Sequence, residues 1–195
     1  GIAFAPAQLD CERAFGRRAP VVLEIGCGMG ETTTAIAQAH PECDFVGIEV
    51  HAPGVGALLK RLDEQHLANV RVIRHDAVEV VEHMIAPGSL SGVLVYFPDP
   101  WPKKRHHKRR LLRSAFVHAL AQRLAPGGYL HAATDWEDYA RQMRSVLDEA
   151  PEFSRDFADD WAPRFEGRIL TAFERKGARV GRDIRDLAYR REPRS

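Results

Sequence analysis

The sequence predicts an α/β protein, with a mostly parallel central sheet and helices on both faces. Short apolar runs alternate with longer helical stretches along the chain, the pattern of parallel strands joined by crossover helices. The runs are rich in β-branched or aromatic residues and bounded by turn residues, as strands are. A glycine-rich turn joins the first run to the first helix, and open sheets of this kind bind ligands just beyond the carboxyl ends of their strands. At 195 residues and 45% hydrophobic, the chain can bury a full core as one domain, residues 1–195. Residues 1–20 read as an N-terminal extension, open to truncation because the chain begins at Gly1.

Strands are predicted over residues 21–25, 45–48, 70–73, 93–97 and 129–133. Helices are predicted near 31–39, 55–67, 110–124 and 137–149, with a shorter one over 78–86. The third is the clearest, since Leu112, Phe116, Ala119, Leu120 and Leu124 recur at helical spacing. Pro126-Gly127-Gly128 then reads as its terminator. Residues 184–189 could supply a final strand.

Composition excludes several classes. No run approaches the ~20 apolar residues of a membrane span, and no basic-then-apolar leader is visible, so a cytoplasmic protein is expected. Cys11, Cys27 and Cys43 are an odd number without a C-x-x-C pair, which disfavours a disulfide framework or structural zinc site. Net charge is +1, unevenly spread: residues 103–110 carry six Lys/Arg and no acid, and residues 164–195 carry ten against five acids. These segments total +11 and leave the rest at −10. Local basic patches could therefore meet a polyanion, or simply be solvated faces.

The glycine turn reads Glu24-Ile25-Gly26-Cys27-Gly28-Met29-Gly30 and opens into Glu31-Thr32-Thr33. Glycines suit a sharp turn that lets a ligand approach the backbone, although a plain tight turn would look similar. A dinucleotide fingerprint would need glycine at position 31. Glu31 stands there and would repel a pyrophosphate at the helix N-terminus. Acids then follow successive strands. Glu49 can accept from ribose hydroxyls, Asp76 from an adenine amino group, and Glu24 can meet an ammonium or sulfonium. Together they favour a ligand with a ribose, an adenine and positive charge. S-adenosylmethionine fits that description and NAD does not.

After the fourth strand comes Tyr96-Phe97-Pro98-Asp99-Pro100-Trp101-Pro102-Lys103 and the basic run to Arg110. Three prolines in five positions stiffen the loop. Asp99 and Trp101 could steady a planar base while the basic run grips phosphates. Asp99 as a turn residue and Trp101 as a core plug are the plainer alternatives. His106-His107 lack a ligand cluster, so no metal is expected.

Through E-I-G-C-G-M-G and Glu49 the chain resembles the class I S-adenosylmethionine-dependent methyltransferases, which implies a Rossmann-like sheet of about seven strands. Phe97-Pro98-Asp99-Pro100-Trp101-Pro102-Lys103, the following basic run, Thr134-Asp135 and Thr171-Ala172-Phe173-Glu174 are similar to signatures of the bacterial tRNA (guanine-N7-)-methyltransferases. That resemblance runs from about residue 23 to 190. It implies methyl transfer from S-adenosylmethionine, leaving S-adenosylhomocysteine, to N7 of the variable-loop guanine of tRNA (position 46 in tRNA numbering). It implies cofactor contacts from Glu24, Gly26, Gly28, Gly30, Glu49, Asp76 and Asp99, with Asp99 also catalytic. Lys103, Asp135, Thr171, Ala172, Phe173 and Glu174 would face the substrate, and no obligatory protein or membrane partner is expected. Ala172 stands where the family usually has Lys. Thr171-x-x-Glu174 also matches a helix capping box. Guanine N7 bears no proton, so Asp99 is expected to orient the base and stabilise its developing cation rather than act as a base. Alternatives are methylation of another nucleobase, an NAD-dependent oxidoreductase, or a non-catalytic RNA-binding module.

Overall fold

The computed structural model describes residues 1–171, 174 and 181–193. Seven strands form one sheet: β1 (Val21–Ile25), β2 (Asp44–Ile48), β3 (Val70–Ile73), β4 (Leu90–Tyr96), β5 (Leu124–Thr134), β6 (Phe153–Arg155) and β7 (Arg185–Arg191). Their order is β3-β2-β1-β4-β5-β7-β6. The first five are parallel, while β7 runs antiparallel between β5 and β6. The expected Rossmann-like, mostly parallel sheet is the one observed.

Among the described residues it is accompanied by the α-helices α1 (Cys11–Phe15), α2 (Glu31–Ala39), α3 (Ala52–Glu64), α4 (Ala77–His83), α5 (Ser114–Arg123) and α6 (Glu137–Asp148). Side-chain alternation along β1 separates two cores, as a pleated strand requires. Val21, Leu23 and Ile25 join the cluster made with α4, α5 and α6. Val22 joins the opposite cluster, with Ile36 of α2 and Leu58 and Leu62 of α3. Glu24 shares the parity of Val22, which turns its side chain toward α2.

Several boundaries differ from the sequence reading, each for a local reason. Helix α3 starts at Ala52, because Pro53 is accommodated in its first turn, where no backbone N–H is needed. Helix α5 starts at Ser114 rather than near 110, because residues Lys104–Arg109 wind into a separate 3₁₀ helix. Pro126-Gly127-Gly128 lies within β5, where the register against β4 shifts between the Leu90↔Leu124 and Gly92↔Tyr129 pairs. The break signal marks a bulge there rather than a loop. The final strand runs Arg185–Arg191. The short elements α1 and β6 had no legible periodicity. Residues 1–20 pack onto the domain: Ile2 bridges Ile73, and the Arg17 guanidinium donates to Asp44 on β2.

Strand order reverses direction between β1 and β4, so the turns following these neighbouring strands open side by side. That crevice is where a sheet of this topology receives a ligand.

Candidate functional site

The turn after β1 holds Gly26, Gly28 and Gly30 at φ of 78°, 53° and 80°, a region L side chains rarely adopt. Gly30 is also forced by packing. A Cβ there would lie 2.4 Å from Leu58 Cδ1 and 3.1 Å from Leu58 Cα on α3. Above Gly26 and Gly28 a Cβ would meet nothing within 4 Å, so that side of the turn is open. Arg61 of α3 holds the far end, donating to the Met29 carbonyl at 3.1 Å and to Glu31 at 3.3 Å.

Three acids stand at this edge of the sheet. Glu49 follows β2, and its carboxylate accepts from Gly28 N–H and His51 N–H, both at 2.8 Å. Asp76 is exposed and caps α4, one oxygen accepting from Val78 N–H at 2.9 Å and Glu79 N–H at 3.3 Å. Glu24 is buried within β1 at 3% exposure. Burial pushes its carboxyl up to about 7. Glu24 Oε2, Thr33 Oγ1 and Tyr96 OH are all buried without a hydrogen-bond partner. Such orphaned groups are costly unless a ligand completes them.

Two cavities adjoin here. One of about 350 Å³ is lined by Glu24, the Gly26–Gly30 turn, Thr32 and Thr171. The other, of about 390 Å³, is lined by Glu49, Asp76, Asp99, Trp101 and Arg109 among others. Gly26, Tyr96 and Phe97 line both. Asp99 therefore stands across a shared wall from the glycine turn.

The loop after β4 is bracketed by two aromatic residues at positive φ, Phe97 at 50° and Trp101 at 45°. Bulky side chains there carry strain that surrounding contacts must hold. Phe97 N–H donates to the Ala133 carbonyl at 2.8 Å. The Arg110 guanidinium donates to the Pro100 carbonyl at 2.8 Å, to Asp138 at 2.6 Å and to Gln142 at 3.0 Å, and lies 4.8 Å over the Tyr139 ring. Arg109 stacks 4.9 Å over Trp101. Lys103 is exposed at the start of the 3₁₀ helix.

The basic residues divide sharply. Among the described residues, Lys103, Lys104, Arg105, Lys108 and Arg109 have no carboxylate ion-pair partner, whereas Arg110 is turned inward at 1% side-chain exposure. The arginines of the C-terminal segment are spent internally: Arg164 on Glu174 at 3.3 Å, Arg182 on Asp135 at 3.1 Å, Arg185 on Glu137 at 2.9 Å and Arg190 on Asp156 at 2.7 Å. Of the two basic patches read from the sequence, the described part of the second is largely neutralised by the fold.

Asp135 thus meets Arg182. Thr171 and Glu174 form the capping box anticipated from their spacing. Glu174 Oε2 accepts from Thr171 N–H at 2.9 Å and Oγ1 at 3.1 Å, and Glu174 N–H donates to Thr171 Oγ1 at 3.2 Å. Glu174 is itself buried at 2% exposure. Ala172 and Phe173 lie outside the described residues. Sequence reasoning passed over Thr33, Tyr96, Arg110, Arg168 and Asp186. The only signal for Arg110 was its place beside the apolar Leu111-Leu112, and burial of a single arginine leaves no periodic trace. No group of three or more His, Cys, Asp or Glu able to hold a metal occurs among the described residues. No helix there is long and apolar enough to cross a membrane.

A family model described as "Putative methyltransferase" matches residues 18–187. The tRNA (guanine-N(7)-)-methyltransferase of Bordetella pertussis (strain Tohama I) is 59% identical over 190 residues, covering 97% of this chain and 74% of that protein. Among solved structures, the 16S rRNA methyltransferase KamB superposes with a TM-score of 0.66 at 18% identity, covering 95% of each chain. Haemonchus contortus phosphoethanolamine N-methyltransferase 2, in complex with S-adenosyl-L-methionine, gives a TM-score of 0.57 at 14% identity, covering 94% of this chain and 51% of that one.

Proposed function

The chain belongs to the tRNA (guanine-N(7)-)-methyltransferase family, and from that premise we propose how its residues divide the transfer of a methyl group to N7 of a guanine in tRNA. One observation carries the reading: Asp99 and the glycine turn line adjoining cavities with Gly26, Tyr96 and Phe97 in common.

The residues present suit S-adenosylmethionine. Buried, unpartnered Glu24 Oε2 awaits a cationic group, the open face of Gly26 and Gly28 leaves room for a close approach, and Glu31 at the end of the glycine turn disfavours a pyrophosphate there. Glu24 takes the ammonium or sulfonium charge, the Gly26–Gly30 backbone underlies the methionine moiety, Glu49 accepts from the ribose and Asp76 from the adenine. When bound, S-adenosylmethionine supplies a methyl group on a cationic sulfur and departs as S-adenosylhomocysteine.

Guanine N7 presents a lone pair and no proton, so no residue has to act as a general base. Positive charge grows on the purine as its nitrogen is alkylated. Asp99 orients the ring and stabilises that charge, and the stiff loop fixed by Arg110 limits its wandering. Lys103 and the unpaired cations that follow grip phosphates near the reacting base. Thr171 closes the wall of the first cavity, and Asp135 borders the substrate side. N7 lies on an edge that a regular A-form helix hides, so the target is presented from an irregular region, which agrees with the variable-loop guanine that the family resemblance implies. The domain works in the cytoplasm, where tRNA is found, and needs no metal.

Incubation with labelled S-adenosylmethionine and unmodified tRNA, followed by nucleoside analysis, tests the reading. 7-Methylguanosine is expected from the wild type, with turnover severely cut in Asp99→Asn and cofactor affinity changed much less. A different methylated nucleoside, or full turnover in Asp99→Asn, overturns it.

A further inference from the structure

Arg168 lies between β6 and β7 with a fully buried side chain. One Nη donates to Glu174, and the other forms a fork to both Asp186 oxygens at 2.7 and 2.8 Å. Its guanidinium also sits over two rings, 5.3 Å from Tyr96 and 5.7 Å from Phe97. Each contact leads to a different wall of the site. Asp186 belongs to β7 and is paired with Ala133 of β5, which ties the arginine to the rigid sheet. Tyr96 and Phe97 form the partition between the two cavities. Glu174 uses its other oxygen to hold Thr171, which lines the first cavity.

A gain in stability is a weak account of this cluster. Burying an ion cluster of this kind, Arg168 and the partly exposed Arg164 with Glu174 and Asp186, is often no better than packing apolar side chains in the same volume. Burial pushes the Asp186 carboxyl upward even with Arg168 pulling it down. What the cluster does provide is direction, since a planar guanidinium offers donors at fixed angles that an ammonium cannot.

Resting on the methyl-transfer reading above, we propose that Arg168 is a positioning residue. It sets the Tyr96-Phe97 partition and the Thr171 wall in register with the glycine turn, so that the target base meets the methyl donor in line. Arg168 touches neither ligand directly and acts through Glu174, Thr171 and the two rings.

The test compares wild type, Arg168→Lys, Glu174→Gln, Thr171→Val and the Arg168→Lys/Thr171→Val double variant, well below each melting temperature. S-adenosylhomocysteine binding is measured by calorimetry, and kcat with saturating tRNA. Arg168→Lys is expected to bind S-adenosylhomocysteine within about threefold of wild type while kcat falls about 10- to 100-fold, the scale of a small misalignment. In the Thr171→Val background the same change should cost much less, because both act along one path. Should Arg168→Lys fail to fold, Glu174→Gln keeps the Arg168–Asp186 fork and reports on the same path through kcat. A lowered melting temperature with kcat within twofold of wild type, in whichever of these two variants folds, overturns the positioning role. So does full multiplicativity with Thr171→Val. Absence of methyl incorporation by the wild type would instead sink the proposed function.

Discussion

Burial of Glu24 couples its protonation to folding, and to the binding of any cation it receives, with a sign fixed for each. Its carboxyl rises from an ordinary 4.5 to about 7 in the ligand-free fold because it is buried. Between those values the folded state holds a proton that the unfolded state has released. Stability contributed by this group is therefore present below pH 4.5 and lost as pH rises toward 7. A displacement of this size corresponds to roughly 3 kcal/mol, and at this chain length each kcal/mol moves the melting temperature by roughly 2–4 °C. His131 works in the opposite sense over an overlapping window. Burial lowers its imidazole from 6.5 to about 4, so its contribution is lost as pH falls through that interval. The wild-type profile sums these with other shifted carboxyls such as Asp186 and Asp148, and the difference between wild type and Glu24→Gln isolates the Glu24 carboxyl. Thermal unfolding at pH 5, 6, 7 and 8 should show the wild type losing ground to Glu24→Gln as pH rises. A cationic ligand reverses the preference, since it favours the carboxylate. S-adenosylmethionine affinity should then climb by up to about tenfold per pH unit below 7, with proton release seen by calorimetry in buffers of different ionisation enthalpy. Parallel stability profiles for the two proteins, together with affinity independent of pH from 6 to 8, would refute this account.

Three further outcomes follow from local geometry. Gly30→Ala should lose about 3 kcal/mol in urea unfolding, from positive φ and collision with Leu58 combined, whereas Gly28→Ala, with open space above it, should lose about 1 kcal/mol. Replacing Lys104 and Lys108 together with Gln should reduce the salt slope of tRNA binding by roughly 2, as measured by filter binding across a KCl series. Arg185→Gln should leave that slope nearly unaltered, because its guanidinium is already held by Glu137, which it shares with Arg141. Arg110→Lys, which cannot serve Pro100, Asp138 and Gln142 at once, should lower kcat at saturating tRNA while S-adenosylhomocysteine affinity stays within about threefold.

What could be read from the sequence was whatever leaves a pattern in consecutive residues. Strands β1 and β3 and helix α2 were placed at their observed limits, since apolar runs and a glycine turn announce them. The spacing of Thr171 and Glu174 foretold their reciprocal hydrogen bonds. The β5 bulge was misjudged because Pro-Gly-Gly signals a break without saying whether the chain leaves the sheet. Charge misled for a related reason. A count of arginines in residues 164–195 cannot tell which of them meet Asp135, Glu137 or Asp156 from distant elements. Arg168 was invisible on the same grounds, since its partners become neighbours only once β7 inserts beside β5. The acids at the strand ends were legible individually. The contrast between buried Glu24 and exposed Asp76 came from strand parity and helix capping.

The β1–β4 ladder acts as a ruler for the chemistry. Its last pair, Ile25↔Val95, leaves Gly26 and Tyr96 as the next rungs, so the two turns are measured from a common zero. Slipping that ladder by one residue would displace the Asp99 turn by about 3.3 Å and invert which side chains face each core. Productive alignment tolerates much less. A residue inserted within β4 should therefore be far more damaging than one inserted in the 3₁₀ segment, although the latter carries most of the exposed cations.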